Sequence, residues 1–363
     1  MKRYDIVIVG AGIAGASLAA EIGGRASVAI LEEEDRPGVH ATGRSAAFWS
    51  ETYGGPGIAP LTTASGPALW AGGYLAPLGS LHIGRREDRA AIDAFLQEFE
   101  GTGIELHETD PAAAIPGLRD DWVYGISEPT CAYIDVAALH GACLARARHA
   151  GVDILVRSGL VSATRDRDGW LLETASGPMR AGVLVNAAGA WADQVAACAG
   201  VPPIGISAYR RTMAQLRVDP PVPEGMPHVA DIGGKFYFKP EAGGKIWLSP
   251  HDEIPSPPCD AAPEEIDVAV AIDRLEQVVD WRVDALEHKW AGLRSFAPDR
   301  LPVYGFDPAD PAFFWCAGQG GFGIQTCPAG ARLAASLLLG EAAHESVAAI
   351  DPRIYAPARF ERR

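Results

Sequence analysis

The apolar run Tyr4-Asp5-Ile6-Val7-Ile8-Val9 ends in Gly10-Ala11-Gly12-Ile13-Ala14-Gly15, three glycines in the spacing G-x-G-x-x-G. A helical pattern follows from Ala16 to Glu21. A second apolar run, Ser27 to Leu31, then ends in Glu32. This order commits the start of the chain to a strand, a glycine turn, a helix and a second, parallel strand. Gly10 permits the tight turn, Gly12 lets a pyrophosphate approach the backbone, and Gly15 lets the helix pack close to the strands. The helix start, at Ile13 and Ala14, offers free N–H groups and the positive end of its dipole to phosphates. Glu32 stands close to the roughly 20-residue spacing expected of a carboxylate that holds ribose hydroxyls. A glycine turn alone is weak; with both strands and the acid it reads as a dinucleotide site.

The chain has 363 residues, a comfortable length for two domains, and 48% of them are hydrophobic. A net charge of −15 disfavours nucleic acid or an anionic membrane as partner. Met1-Lys2-Arg3 leads straight into the first strand, with no separate apolar core, and no apolar run approaches the roughly 18 residues of a membrane span. The expectation is a cytoplasmic protein without a transmembrane segment. The cysteines are scattered, with no C-x-x-C and no metal-like spacing, so they read as reduced, mostly buried thiols and no metal site is expected.

Beyond Glu32, small residues surround one arginine in Ala41-Thr42-Gly43-Arg44-Ser45-Ala46-Ala47. This is either a plain surface loop or a second phosphate contact with Arg44 supplying charge. Residues 75–131 depart from the nucleotide pattern and begin a second domain. Asp135 caps a helix whose stripe is Val136, Leu139, Cys143, Leu144 and Ala147. Strand patterns follow at 152–156, 159–167 and 169–174, with a hairpin turn at Asp166-Arg167-Asp168-Gly169. The run Ala181 to Val185 ends in Asn186-Ala187-Ala188-Gly189-Ala190-Trp191, again a strand end among small residues. Residues 206–288 return to strands and one helical stretch, Pro263 to Val279. The last segment repeats the opening theme: the strand Phe313 to Ala317, then Gly320-Gly321-Phe322-Gly323, then a helix from about Pro328 to Leu339. The basic tail, Ala358 to Arg363, is expected to fray. The segments 1–74, 132–205 and 289–363 thus form one discontinuous domain, and 75–131 with 206–288 form the other.

Assembled, these pieces resemble the D-amino-acid oxidase (DAO) superfamily, the glycine oxidase/sarcosine oxidase group. The match rests on the opening turn with Glu32, Asn186-Ala187-Ala188-Gly189, Gly292-Leu293-Arg294 followed by Pro298-Asp299, and Gly320-Gly321-Phe322-Gly323. It spans nearly the whole chain. Within the superfamily the chain looks most like bacterial D-arginine dehydrogenase and broad-range D-amino-acid dehydrogenases. That closer likeness lies in His40 to Ala47, Val185 to Trp191, Phe236-Tyr237-Phe238-Lys239-Pro240, Trp290 to Phe296 and Gly320 to Thr326. The resemblance implies an α/β (α+β) fold: a Rossmann-like FAD-binding domain, and a substrate domain on a mainly antiparallel sheet. It adds cofactor contacts at Thr42, Arg44, Ser45, Ala46 and Ala47. It adds Val161, Ala188, Gly189 and Trp191, and in the last turn Gly320, Gly321, Phe322, Gly323, Ile324 and Gln325. Sarcosine-oxidase-like members tether flavin to a cysteine near the active-site arginine. Here that stretch is Arg294-Ser295-Phe296-Ala297-Pro298, so non-covalent FAD is expected.

The implied reaction is oxidative deamination of a D-amino acid. A hydride moves from the substrate Cα to flavin N5, and the imino acid hydrolyses to a 2-oxo acid and ammonia. The protein must clamp the substrate carboxylate, for which a planar guanidinium is suited. Arg294 lies where the family's carboxylate-binding arginine falls, and Arg211 matches a second one, with Arg210 as a one-residue alternative. Tyr237 and Tyr53 match active-site tyrosines, and no histidine base is evident. The relatives' side-chain glutamate falls at Ser80 here, and their histidine at Phe48. Both changes make the pocket more apolar and imply a preference for neutral or hydrophobic side chains, unless Glu51 reaches in. A glycine, sarcosine or imino-acid oxidase and a partner-dependent flavoprotein subunit stay open, as does the electron acceptor.

Overall fold

The computed structural model describes residues 1–360; Glu361, Arg362 and Arg363, the end of the tail expected to fray, lie outside the described residues. Val7, Ile8, Ala29 and Ile30 are shut off from solvent on both faces of their strands, as expected of parallel strands covered on both sides. Lys2–Val9 pairs in parallel with Val28–Leu31 and with Met179–Asn186. Asp153–Leu155 extends the sheet beyond Val28–Leu31, and Phe313–Ala317 adds in parallel to Met179–Asn186. An antiparallel flank, Leu160–Asp166 and Gly169–Thr174, and the strand Val303–Phe306 complete eight strands. The helices Ile13–Ile22, Val136–His149 and Gly323–Leu339 share one apolar cluster with this sheet.

Asp135 caps its helix as its position implies, its carboxylate accepting from Ala138 N–H. The final helix begins at Gly323, not near Pro328, which lies inside it. The glycine turn itself begins the helix, and Pro328 falls in its second turn.

The second sheet has ten strands. Its longest strands are the antiparallel pair Ser207–Asp219 and Arg282–Phe296, near one end of the row. Lys245–Ser249, Tyr237–Glu241 and His228–Asp231 follow on one side. Ser80–Arg85 then pairs in parallel with His228–Asp231, the one parallel step of that row. Arg282–Phe296 runs unbroken through residue 289, where the sequence places a change of domain. Its far end pairs with Gln319–Gly320, so the C-terminal glycine turn meets the second sheet there. Leu75–Pro77 pairs with Ala132–Ile134, which also pairs with Phe48–Trp49, in a small third sheet.

Candidate functional site

A cavity of about 600 Å³ runs from the glycine turn of the first sheet to the two longest strands of the second. That size is within the range of small-molecule and cofactor sites. At the first sheet, every glycine of the turn is needed. A Cβ on Gly10, whose φ is +103°, would meet Ala187 O at 2.5 Å; one on Gly12 would meet Thr42 Oγ1 at 3.2 Å. Gly15 does not line the cavity; a Cβ there would sit 2.0 Å from Gly10 O, so its task is close packing of helix on turn. Glu32 accepts from Ala11 N–H at 2.9 Å and from Glu34 N–H at 3.1 Å. One bond to each oxygen leaves lone pairs for ribose hydroxyls. Thr42 spends its hydroxyl on the helix start, accepting from Ile13 N–H at 2.9 Å.

Ser45, Ala46, Ala47, Ala188, Gly189, Trp191, Gly320, Gly321, Gly323, Ile324 and Gln325 line the cavity, together with Ile13 and Ala14. Three expected contacts differ. The Val161 side chain is 64% exposed, in an irregularity between Leu160 and Ser162, and Gly159 and Leu160 form the wall instead. Phe322 is buried against Ile58, Phe296 and Tyr53 and does not reach the cavity wall. Arg44 stands at the cavity, but its guanidinium is consumed by the protein: it donates to Val39 O, Ala261 O and Ala291 O and pairs with Asp260. Its charge is neutralised there, so it ties its loop to the second sheet rather than offering charge to a phosphate.

At the second sheet, Tyr209 pairs with Arg294 and Arg211 with Gly292. Arg211 and Arg294 are therefore diagonal neighbours on one face of the strand pair, over a glycine. Arg294 donates from Nη1 to Tyr53 Oη and from Nη2 to Tyr237 Oη, the latter at 3.4 Å. Its bonds go to phenols, not to a carboxylate. Arg211 is 3% exposed; its Nε donates to Asp252 O at 2.6 Å, and its Nη2 meets Glu253 at 3.3 Å. Its Nη1 is buried without a partner. Burial, and then the neighbouring charge of Arg294, hold the Arg211 pKa below its usual value. Asp252 and Glu253 offset the Arg211 charge on one side, and the spare Nη1 donor, buried near a second guanidinium, is costly unless an acceptor meets it. Phe48 and Met213 close this end with Tyr53 and Tyr237.

Ser80 is not part of the pocket. It is 2% exposed and bonded to His228 Nδ1 at 3.0 Å; the His228 ring in turn lies tilted against Phe48 at 4.5 Å and against Tyr237 at 5.6 Å. Glu51 does not reach the pocket either; its carboxylate accepts from Thr63 Oγ1 and Thr130 Oγ1. Arg210 pairs with Glu264 and Asp267, away from the cavity, so the one-residue alternative to Arg211 falls. Sequence reading missed two histidines. His40 bonds Glu34 at 2.8 Å and has its Nδ1 buried without a partner in the cavity wall. His251 stands 5.5 Å from the Tyr237 ring and bonds Gly234 O through Nδ1 at 2.7 Å. Burial, with Arg211 and Arg294 beside it, brings its pKa down to about 3. No spacing rule marks either; each is placed by strand register and loop packing.

All six cysteines are free, and among the described residues no group of three potential ligands could hold a metal, nor is any helix long and apolar enough to cross a membrane. The glycine cradle, Glu32 with unused lone pairs and the unpartnered His40 Nδ1 fit FAD.

Residues 5–337 match the family described as FAD dependent oxidoreductase. Glycine oxidase of Pseudomonas aeruginosa is 25% identical, with 97% of this chain and 98% of that protein covered. Among solved structures, L-proline dehydrogenase from P. horikoshii superimposes with a TM-score of 0.86 at 21% identity, covering 99% of this chain and 98% of that one. Glycine oxidase from Geobacillus kaustophilus gives 0.80 at 24% identity, covering 94% and 96%. The α/β architecture and the glycine-cradled cavity agree with that match over nearly the full length, and the chain belongs to the DAO family of FAD-dependent oxidoreductases.

Proposed function

We propose that this enzyme oxidises the amine of a D-amino acid with a neutral or hydrophobic side chain to an imino acid, which hydrolyses to a 2-oxo acid and ammonia. The observation that carries the reading is the pair Arg294 and Arg211, with Arg211 Nη1 left buried and unpartnered at the cavity. A carboxylate is the anion of the right shape for two guanidiniums. Both phenol oxygens accept from Arg294, so both phenol protons remain to be donated; a carboxylate outcompetes Met213 Sδ, the present neighbour of Tyr237 Oη at 3.2 Å. Four donors would thus fix the carboxylate and with it the direction of the α-hydrogen. Bound FAD, held without a covalent link, supplies the electron sink for that hydride. His251, kept neutral between the arginines, adds no charge that would repel the substrate amine.

The side-chain preference rests on Phe48. No carboxylate faces it, since Glu51 and Glu128 are both bonded elsewhere, so a cationic side chain would lose its solvation without gaining a partner. Phe48 also stands 5.0 Å from Tyr53 and 5.8 Å from Tyr237, which leaves little room between the rings. That observation favours a second reading in which glycine, sarcosine or a D-proline-like imino acid is the best substrate. Arginines and tyrosines all come from one chain, which favours a free-standing enzyme over a partner-dependent subunit. The deciding experiment is anaerobic flavin reduction and steady-state kcat/KM across glycine, sarcosine and D- and L-amino acids of graded size. D-arginine or D-lysine at the top would overturn the neutral preference, and L-enantiomers at the top the stereochemical one. Oxygen consumption against dye reduction then assigns the acceptor and the expected cytoplasmic setting is checked by fractionation.

A further inference from the structure

Tyr53 owes its place on Arg294 to a carboxylate that never meets the cavity. Glu128 is completely buried at the end of the strand Trp122–Glu128. Its Oε2 accepts from Ser50 Oγ at 2.9 Å and from Thr52 Oγ1 at 2.6 Å; its Oε1 accepts from Glu51 N–H at 2.7 Å. Three consecutive residues thus converge on one side chain, immediately before Tyr53. His82 Nε2 stands 3.7 Å from the same carboxylate and 3.3 Å from Thr52 Oγ1. Burial pushes the Glu128 pKa up, but the bonds from His82, Thr52 and Ser50 outweigh it and hold the carboxyl below its usual range.

The other side of the turn is held as firmly. Gln325 Nε2 donates to Tyr53 O at 3.0 Å and Ser50 N–H donates to Gln325 Oε1 at 3.4 Å. Thr63 and Thr130 fix Glu51. A segment with this many polar groups bonded to buried partners does not open and close freely.

We infer that Glu128 is a positioning residue that locks segment 50–53, so that Tyr53 is a fixed donor beside Arg294 and not the tip of a swinging lid. The inference rests on the carboxylate reading of the site.

Acetate, a minimal carboxylate, is the probe: its dissociation constant is read from the flavin spectrum of the holoenzyme in wild type, Tyr53→Phe, Glu128→Gln and the double variant. Each single substitution is expected to weaken acetate about tenfold, and the double variant to be no more than about threefold weaker than Tyr53→Phe alone. An effect of Glu128 on binding that does not run through Tyr53 would give additive losses instead. Hydrogen exchange of a peptide spanning segment 50–53 is expected to be slow in wild type and faster in Glu128→Gln. If Glu128→Gln does not fold, Thr52→Val, which deletes one bond to the carboxylate, takes its place in both measurements. Additive losses, or rapid exchange of this segment in the wild type, would overturn the inference while leaving the carboxylate reading intact. Unchanged binding by Tyr53→Phe would overturn the inference alone, and no acetate binding by the wild type would remove both.

Discussion

Arg294 and Phe48 divide the recognition problem between charge and size. Replacing Arg294 with Ala removes a buried cation from two tyrosines and from the proposed carboxylate. The expected loss is about 2–5 kcal/mol in kcat/KM with FAD still bound. Near-normal kcat/KM with a full flavin spectrum would take Arg294 out of the substrate site. Phe48→Ala should open the space up to His228 and Ser80, and the kcat/KM ratio of D-phenylalanine to D-alanine should rise at least about tenfold. An unchanged ratio would show that Phe48 does not set the size limit. Arg294 was legible because its motif, Gly292-Leu293-Arg294, is local and its type suits the chemistry. Ser80 was not. Whether a strand residue faces a cavity depends on register, and a slip of one residue reverses the face. Val161 failed for a related reason: a strand irregularity turned its side chain to solvent.

Among the elements, the two glycine turns do different work. The first forms the tight cradle proposed for the nucleotide, and its tightness is readable from spacing, because backbone sterics dictate it. The second, Gly320-Gly321-Phe322-Gly323, abuts the proposed substrate end. A Cβ on Gly321 would sit 2.6 Å from Arg294 Nη1 and 3.0 Å from Tyr53 Oη. Gly321→Ala is therefore expected to displace both groups while leaving the first turn and its nucleotide contacts intact. A shift of this kind costs roughly 10²-fold in kcat/KM. Stopped-flow flavin reduction measures it, and loss of FAD with no change in the reduction rate of the remaining holoenzyme would contradict the assignment. The sequence marked this turn as a ligand site but could not place Arg294 against it, since that contact joins residues from a strand and a turn that meet only in the folded sheet. The same limit applies to Arg282–Phe296: the sequence places a change of domain at residue 289, but the strand runs through that position within one sheet.

At the scale of the whole molecule, buried histidines set how stability responds to acid. His251 is brought down to about 3 by burial and by Arg211 and Arg294, with Arg274 adding to this and the bond to Gly234 O opposing it. His228 is held well below its usual value by burial and by His82, Lys239 and His251, and His140 is lowered by burial. Each is neutral in the folded protein where the unfolded chain, with pKa near 6.5, takes up a proton. Below about pH 6.5 the unfolded state therefore binds more protons, and unfolding free energy falls as pH falls, by up to about 1.4 kcal/mol per pH unit for each fully excluded proton. For His251 the window runs from 6.5 down to about 3. Carboxylates with lowered pKa, such as Asp299 and Glu128, act in the same direction only at lower pH, where their unfolded forms begin to protonate. Asp231, raised by burial, opposes them in the carboxylate range. Between pH 6.5 and 5 the histidines should dominate. The melting temperature is expected to drop steadily over that interval, and His251→Gln, which cannot take up the proton in either state, should flatten the slope. A flat wild-type profile there, or a slope unchanged by His251→Gln, would show that this histidine is charged in the folded protein and that the ground between the two arginines is not kept free of further positive charge.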